Sequence, residues 1–379
     1  MSLKETLSKH YARLQHNLFP EVETALGALT EKQTKLITVL ESVEIERFLP
    51  HPHGYVGRPC AERAALARAY VAKAVYDLPT TRLLIDVLKG DVRLRRICGW
   101  ERRSDVPEEW TFSRAFAEFT AYQLPARLHE ALVKTTLGDH LIGHISRDST
   151  AIESREKPIS KPKQLPKQPK KRGRPRKGEE APVKDPTRIE RQKTMSLKEM
   201  VAELPQPCDC GTKRNAKGYK ESWIGYKLHI DTADGDIPVS AILTSASVHD
   251  GQVALPLAAM TAMRVTNLYD LMDSAYDDEN IREASTALGH IAIIDINPRR
   301  DVDLAILIKD ENKAKRVINH PFAEDIRYRQ RSSAERINSQ LKDNLGGTHI
   351  RVRGNPKVFT HLMFGLLSLT ALQLMRLVT

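Results

Sequence analysis

The sequence predicts an α/β domain preceded by an all-helical N-terminal domain, with a basic segment inserted into the α/β part. Three observations carry this. Residues 1–135 show helix caps and helical apolar spacing but no alternating pattern. From about residue 139, short apolar runs ending in Asp alternate with helical segments. Between them, residues 155–219 hold a Pro/Lys/Arg-rich stretch. The expected limits are 1–135 for the helical domain, 136–154 and 220–379 for the α/β domain, and 155–219 for the insertion.

In the helical part, Ala61 to Val75 is rich in Ala, Arg and Leu. Thr80 or Thr81 caps a segment with Leu83, Leu84, Val87 and Leu88 on one side. Asp91 opens a short helix through Ile97, and Thr111 opens another with Phe112, Ala115, Phe116 and Phe119. Arg93, Arg95, Arg96, Arg102, Arg103 and Arg114 surround these short helices. They fit either a helix-turn-helix or a bundle with a solvated basic face.

In the α/β part, His140 to Ser146 reads as a strand that ends at Asp148. Tyr226 to Asp231 and Ile237 to Leu243 flank Ala233-Asp234-Gly235-Asp236, a hairpin signal because Asp-Gly supplies a tight turn. Ala254 to Met263 reads as helix, with Pro256 tolerated in its first turn. Asn267 to Met272 is a second strand that ends at Asp273. Ile281 to Leu288 reads as helix and Ile291 to Ile296 as a buried strand. A helix carrying Glu335 follows.

Composition narrows the class. The 379 residues suffice for two or three domains, and 41% hydrophobic content suits a soluble protein. The polar start, Met1 to Glu5, leads us to expect no secretory leader. Cys60, Cys98, Cys208 and Cys210 are too few for a disulfide framework and fit a reducing compartment. Cys208-Asp209-Cys210 lacks the second cysteine pair of a zinc site. The apolar run from Val358 to Val378 carries His361, Gln373 and Arg376 and reads as a core helix, not a membrane span.

The net charge of +11 is concentrated. Lys157 to Lys177 holds ten Lys/Arg and no acid, so the rest of the chain is nearly neutral. This stretch reads as an extended linker that attracts nucleic acid. Its Arg172-Gly173-Arg174-Pro175-Arg176 core resembles an AT-hook, whose arginines lie in the A·T minor groove.

The chemistry is concentrated in Tyr328, Arg331, Glu335 and Lys342. On an ideal helix they point to about 0°, 300°, 340° and 320°, one narrow stripe. Ser332-x-x-Glu335 is also a capping box, in which Glu335 only starts a helix. Asp148 and Asp273, at the ends of neighbouring strands, can join a helical Glu in a three-carboxylate site of hard oxygens suited to Mg²⁺ or Mn²⁺. Asp250, Asp277 and Asp295 are competing acids. Asp270 falls on the opposite side of its strand from Asp273.

The Tyr328–Arg331–Glu335–Lys342 spacing matches the Y-(2)-R-(3)-E-(6)-K signature, and from about Gly57 onward the chain resembles bacterial insertion-sequence DDE transposases. The resemblance implies an RNase H-like catalytic domain with a mixed five-stranded sheet. It assigns Asp148, Asp273 and Glu335 to the catalytic metal-binding triad, and Tyr328, Arg331 and Lys342 to DNA phosphates. It implies an Mg²⁺-dependent enzyme (Mn²⁺ also possible) that cuts transposon-end DNA and joins it to target DNA. The implied partners are those DNAs and a second copy of the chain, with no membrane and no small-molecule substrate. The implied location is the bacterial cytoplasm, at the nucleoid. Glu335 follows Asp273 by only 62 positions and no Trp follows Trp223, so the chain resembles the short-spacing relatives without a β-rich insertion there. A nuclease that cuts without joining and a DNA-binding derivative remain as alternatives.

Overall fold

A computed structural model of the chain describes residues 3–49, 61–159, 185–214, 218–299, 301–318 and 322–378. Eight α-helices of the N-terminal region come first: α1 (Leu3–Arg13), α2 (Phe19–Leu26), α3 (Glu31–Val43), α4 (Arg63–Val75), α5 (Thr81–Gly90), α6 (Val92–Cys98), α7 (Glu109–Ala121) and α8 (Leu124–Leu137). The caps follow the sequence. Thr80 Oγ1 accepts from Leu83 N at the start of α5, and Asp91 Oδ1 accepts from Arg93 N and Leu94 N at the start of α6. Thr111 is not a cap, because α7 already begins at Glu109 and buries Thr111 within its first turn.

Several of the arginines expected on a basic face do structural work instead. Arg93 donates to the Leu26 and Ala28 carbonyls. The buried Arg95 donates to those of Leu88 and Lys89 at the end of α5. Arg96 pairs with Glu101. A guanidinium spent on orphan helix carbonyls cannot also serve a phosphate.

The sheet starts with β1 (Leu141–Glu153). Two short helices, α9 (Arg188–Gln192) and α10 (Leu197–Glu203), precede β2 (Asp209–Arg214), β3 (Lys220–Ala233) and β4 (Ile237–Ser245). Then come α11 (Ala254–Ala262), β5 (Thr266–Met272), α12 (Glu279–Ala287) and β6 (Ile291–Ile294). Last are α13 (Val302–Ile318), α14 (Ala323–Tyr328), α15 (Ser332–Asn344) and α16 (Asn355–Arg376). β4 pairs with the Tyr226–Ala233 half of β3, and β2 with its Lys220–Gly225 half. β1 is antiparallel to β3 on one side and parallel to β5 on the other, and β6 extends the parallel part. The helical region followed by a mixed sheet with flanking helices is the arrangement expected of an RNase H-like domain behind an all-helical one.

The sheet differs from expectation in three places. Among the described residues it has six strands, not five, because β2 forms in the stretch expected to be an insertion. β1 does not stop before Asp148 but runs to Glu153, since β3 supplies a ladder partner as far as Gly225. β6 is a short strand with Ile291 58% exposed, not a buried one, because only β5 pairs with it. α13, which the sequence reading missed, lies between β6 and α14. In the basic linker, residues 155–159 and 185–193 are described, and Arg188–Gln192 is helical there, not extended. Arg172, Arg174 and Arg176 lie outside the described residues.

The hairpin follows the sequence. Gly235 and Asp236 take φ of 77° and 61°, the left-handed conformation a tight turn between β3 and β4 requires. Asp234 Oδ2 in that turn accepts from Gly143 N (2.6 Å), pinning it to β1.

α16 holds the molecule together. It packs against α3, α4, α7 and α8 on one side and β4 and α15 on the other. One core runs from Leu66, Phe112 and Leu128 through Phe364 and Leu374 to Ile145 and Val239. The helical region therefore shares its interior with the sheet. α16 is long and apolar enough to cross a membrane, but 83% of its apolar window is buried inside the protein. A second core beneath α15 joins Ile337 and Leu341 to Tyr226, Leu228 and Leu366.

Candidate active site

The site forms where the parallel part of the sheet ends. β1 and β5 pair as far as Ser146 and Leu271, and continuing that register sets Asp148 beside Asp273. β5 stops at Met272 while β1 runs on, so both acids stand at the carboxyl end of the parallel strands, where α/β sheets form their crevice. Asp148 shares its face of β1 with Ser146, and α15 lies over that face. Ser146 Oγ donates to the Gln330 carbonyl, and Asn338 Nδ2 of α15 donates to Asp148 Oδ2 (3.1 Å). Asp273 follows β5 and caps a short turn, accepting from Ala275 N through Oδ1 (2.9 Å).

The electrostatics mark this crevice as short of positive charge. Burial pushes the Asp148 carboxyl up to about 6, helped by Asp273 and Asp250 and opposed by the Ser149 amide and Arg331. Burial also raises Asp273, with Asp250 and Asp295 adding to it. Arg331 is the cation that faces both acids.

Glu335 occupies the first turn of α15, with its side chain 56% exposed. Its Oε1 meets Arg331 Nη2 at 2.5 Å. It is not a capping-box residue: Arg331 precedes the helix without a side-chain cap, and Ser332 Oγ donates to the Arg329 carbonyl. The single helical stripe is also broken. Tyr328 ends α14, Arg331 lies in a 3₁₀ turn over Arg329–Arg331, and only Glu335 and Lys342 share an α-helix. Tyr328 nevertheless points toward the acids, donating to Asp295 Oδ2 (2.6 Å). Lys342 is set apart, in a cavity of about 270 Å³ lined by Lys213, Trp223 and Thr348. Burial lowers its pKa, and Lys213 lowers it further.

The competing acids are accounted for. Asp250 accepts from Ser149 Oγ and Lys227 Nζ (2.8 and 3.1 Å). Burial alone would raise it, but His229, Lys227 and Ser149 together hold it below the usual range. Asp277 pairs with Arg282, and Asp270 lies buried against His290 and Asn267. Asp295 is bound to Tyr328. Among the described residues, no three His, Cys, Asp or Glu side chains stand close enough to hold a metal ion. Glu335 is turned to Arg331 and Asp148 to Asn338.

Two features escaped the sequence reading. One is Asn338, which lies three positions after Glu335 and so on the same side of α15. The other is the ion pair behind the site. Arg147 donates to Asp231 through Nε and Nη2 (both 2.8 Å), and Thr261 Oγ1 adds a third bond to that carboxylate. Arg147 Nη1 also reaches the Met272 sulfur.

Compared with known families, residues 148–371, more than half of the chain, match the one described as Transposase DDE domain. The chain belongs to the DDE transposase family. Residues 25–118 match a second family, described as Transposase domain (DUF772), which covers most of the helical region. No curated protein and no solved structure gave a match. The transposase is thus a DNA-acting protein of a family that generally works with divalent metal ions. Asp148 and Asp273 would offer such an ion hard oxygens, and burial and like charge oppose their ionisation without one.

Proposed function

We propose that this transposase binds the ends of its element, cuts the DNA there, and joins the freed 3′-hydroxyl to target DNA, using Asp148, Asp273 and Glu335 to hold Mg²⁺, or Mn²⁺ in its place. The observation that carries the reading is that Asp148 and Asp273 follow the last β1–β5 pair, Ser146 with Leu271, close enough for each charge to be felt at the crevice, beside the helix that bears Glu335. When bound, the ions supply an activated water and offset charge on the phosphodiester. Asp148 is held by Asn338, and Asp273 by the Ala275 amide, so neither carboxylate has to find its position during turnover. Glu335 would complete the set once released from Arg331, and that guanidinium would then be free for a DNA phosphate. Tyr328 and Lys342 hold further phosphates on either side. Hydrolysis leaves a 3′-hydroxyl and a 5′-phosphate, and that hydroxyl then displaces a target 3′-oxygen.

The reading places the chain with the short-spacing Y-(2)-R-(3)-E-(6)-K group, working as a homodimer on paired ends in a bacterial nucleoid. Residues 1–135 form the end-binding and dimerisation domain, while 136–154 with 220–379, joined by β2 (Asp209–Arg214), form the catalytic domain. Supplying a pre-cleaved end with a free 3′-hydroxyl tests joining directly. Ligation into target DNA is expected, and cutting without ligation would leave a nuclease.

Two further outcomes are expected. Lys342→Ala weakens engagement of the cleaved end and slows strand transfer, while Mn²⁺ binding persists. Full strand transfer by this variant would remove Lys342 from the phosphate grip. The basic run Lys157 to Lys177 binds DNA by phosphate charge, with Arg172, Arg174 and Arg176 adding an A·T preference. Deleting it lowers the slope of log affinity against log salt, by roughly 0.9 for each phosphate that the protein no longer neutralises. An unchanged slope would make the run a passive linker.

A further inference from the structure

We infer that Asn338 is part of the cation site: its amide nitrogen fixes Asp148, and its amide oxygen is left for the cation's hydration shell. The inference rests on the metal-site reading above. Asn338 is only 7% exposed, and its Nδ2 donates to Asp148 Oδ2 at 3.1 Å. Its Oδ1 is buried and has no hydrogen-bond partner among the described residues. Buried amide oxygens are rarely left so, because such an acceptor has given up its water without gaining a partner.

The geometry gives the two ends of the amide separate tasks. Bonding to Oδ2 restrains rotation of the Asp148 carboxylate and leaves Oδ1 of Asp148 for a cation. The neutral amide does this without adding charge to a site already short of cations. The Oδ1 of Asn338 is an acceptor beside that same carboxylate, as a metal-bound water requires. Asn338 is thus a positioning residue, acting on the cation through Asp148 and water. Its place one turn after Glu335 lets a single helix deliver both a ligand and the group that orients another ligand.

The test measures Mn²⁺ binding to the full chain without DNA, by calorimetry, alongside thermal unfolding of the metal-free protein. Asn338→Leu keeps the branched shape and removes both polar ends. The expected result is a roughly 10–100-fold weaker Mn²⁺ affinity, with a metal-free protein that still unfolds cooperatively, at a temperature lowered by no more than the loss of one buried hydrogen bond. Asn338→Ala should lose similar affinity. Wild-type Mn²⁺ affinity in either variant would overturn the inference. So would variants that fail to fold, because Asn338 would then be a structural residue. If the wild type itself binds no Mn²⁺ and Asp273→Asn changes nothing, the metal-site reading fails instead.

Discussion

Asp148→Asn is expected to abolish cleavage and at the same time to stabilise the metal-free transposase. Burial pushes the Asp148 carboxyl from 3.8 to about 6, so the folded protein disfavours its charged form. A carboxyl raised on folding makes the fold relatively more stable at acid pH. That advantage fades as pH rises from the unfolded value through the folded one. Above about pH 6 the ionised Asp148 therefore destabilises the metal-free fold. Asn carries no charge to desolvate and still accepts from the Ser149 amide. Two pKa units correspond to roughly 3 kcal/mol at most, and we expect a gain of about 1–3 kcal/mol at pH 7.5 that shrinks toward pH 4. Denaturant titration at the two pH values checks it. Cleavage should vanish because one ligand of the cation is gone. A variant no more stable than wild type at pH 7.5 would mean that the crevice is not short of positive charge. Saturating Mn²⁺ should stabilise the wild type and leave Asp148→Asn nearly unmoved.

Arg147→Met should be the most destabilising substitution near the site, at about 3–5 kcal/mol. It strands the Asp231 carboxylate in the interior with only Thr261 for company. Arg147 and Asp231 are 1% and 0% exposed, so water cannot take over. The double change Arg147→Met with Asp231→Leu should recover most of the loss, because replacing both partners of a buried pair by apolar groups is often neutral. Urea unfolding of the three proteins measures this. If the single change cost less than about 1 kcal/mol, the ion pair would not be the strut between β1 and β3 that its geometry describes.

What the sequence disclosed follows the range of the forces involved. Thr80, Asp91 and Asp234-Gly235 act on neighbours within three or four residues, so their caps and turn were readable directly. The strand ends were harder. Asp148 breaks an apolar run, which reads as a stop, yet β3 carries the ladder five residues further. β6 read as buried from its composition, but position at the sheet edge, a tertiary property, left Ile291 exposed. The pairing of Arg147 with Asp231 spans 84 positions and leaves no local signal. At the site, the acids themselves were legible as polar residues ending apolar runs. The 3₁₀ turn that separates Tyr328 and Arg331 from the Glu335 helix was not, because an ideal helix was assumed through it.

The central claim is that Asp148, Asp273 and Glu335 share one cation. The most direct measurement is a crystal structure of the full transposase with Mn²⁺ and a pre-cleaved end, read from the anomalous signal of manganese. A peak is expected between Asp148 and Asp273, with Glu335 swung off Arg331 to join them. A peak bound instead by Asp250 or Asp295, or a Glu335 still paired with Arg331 beside a filled site, would contradict it.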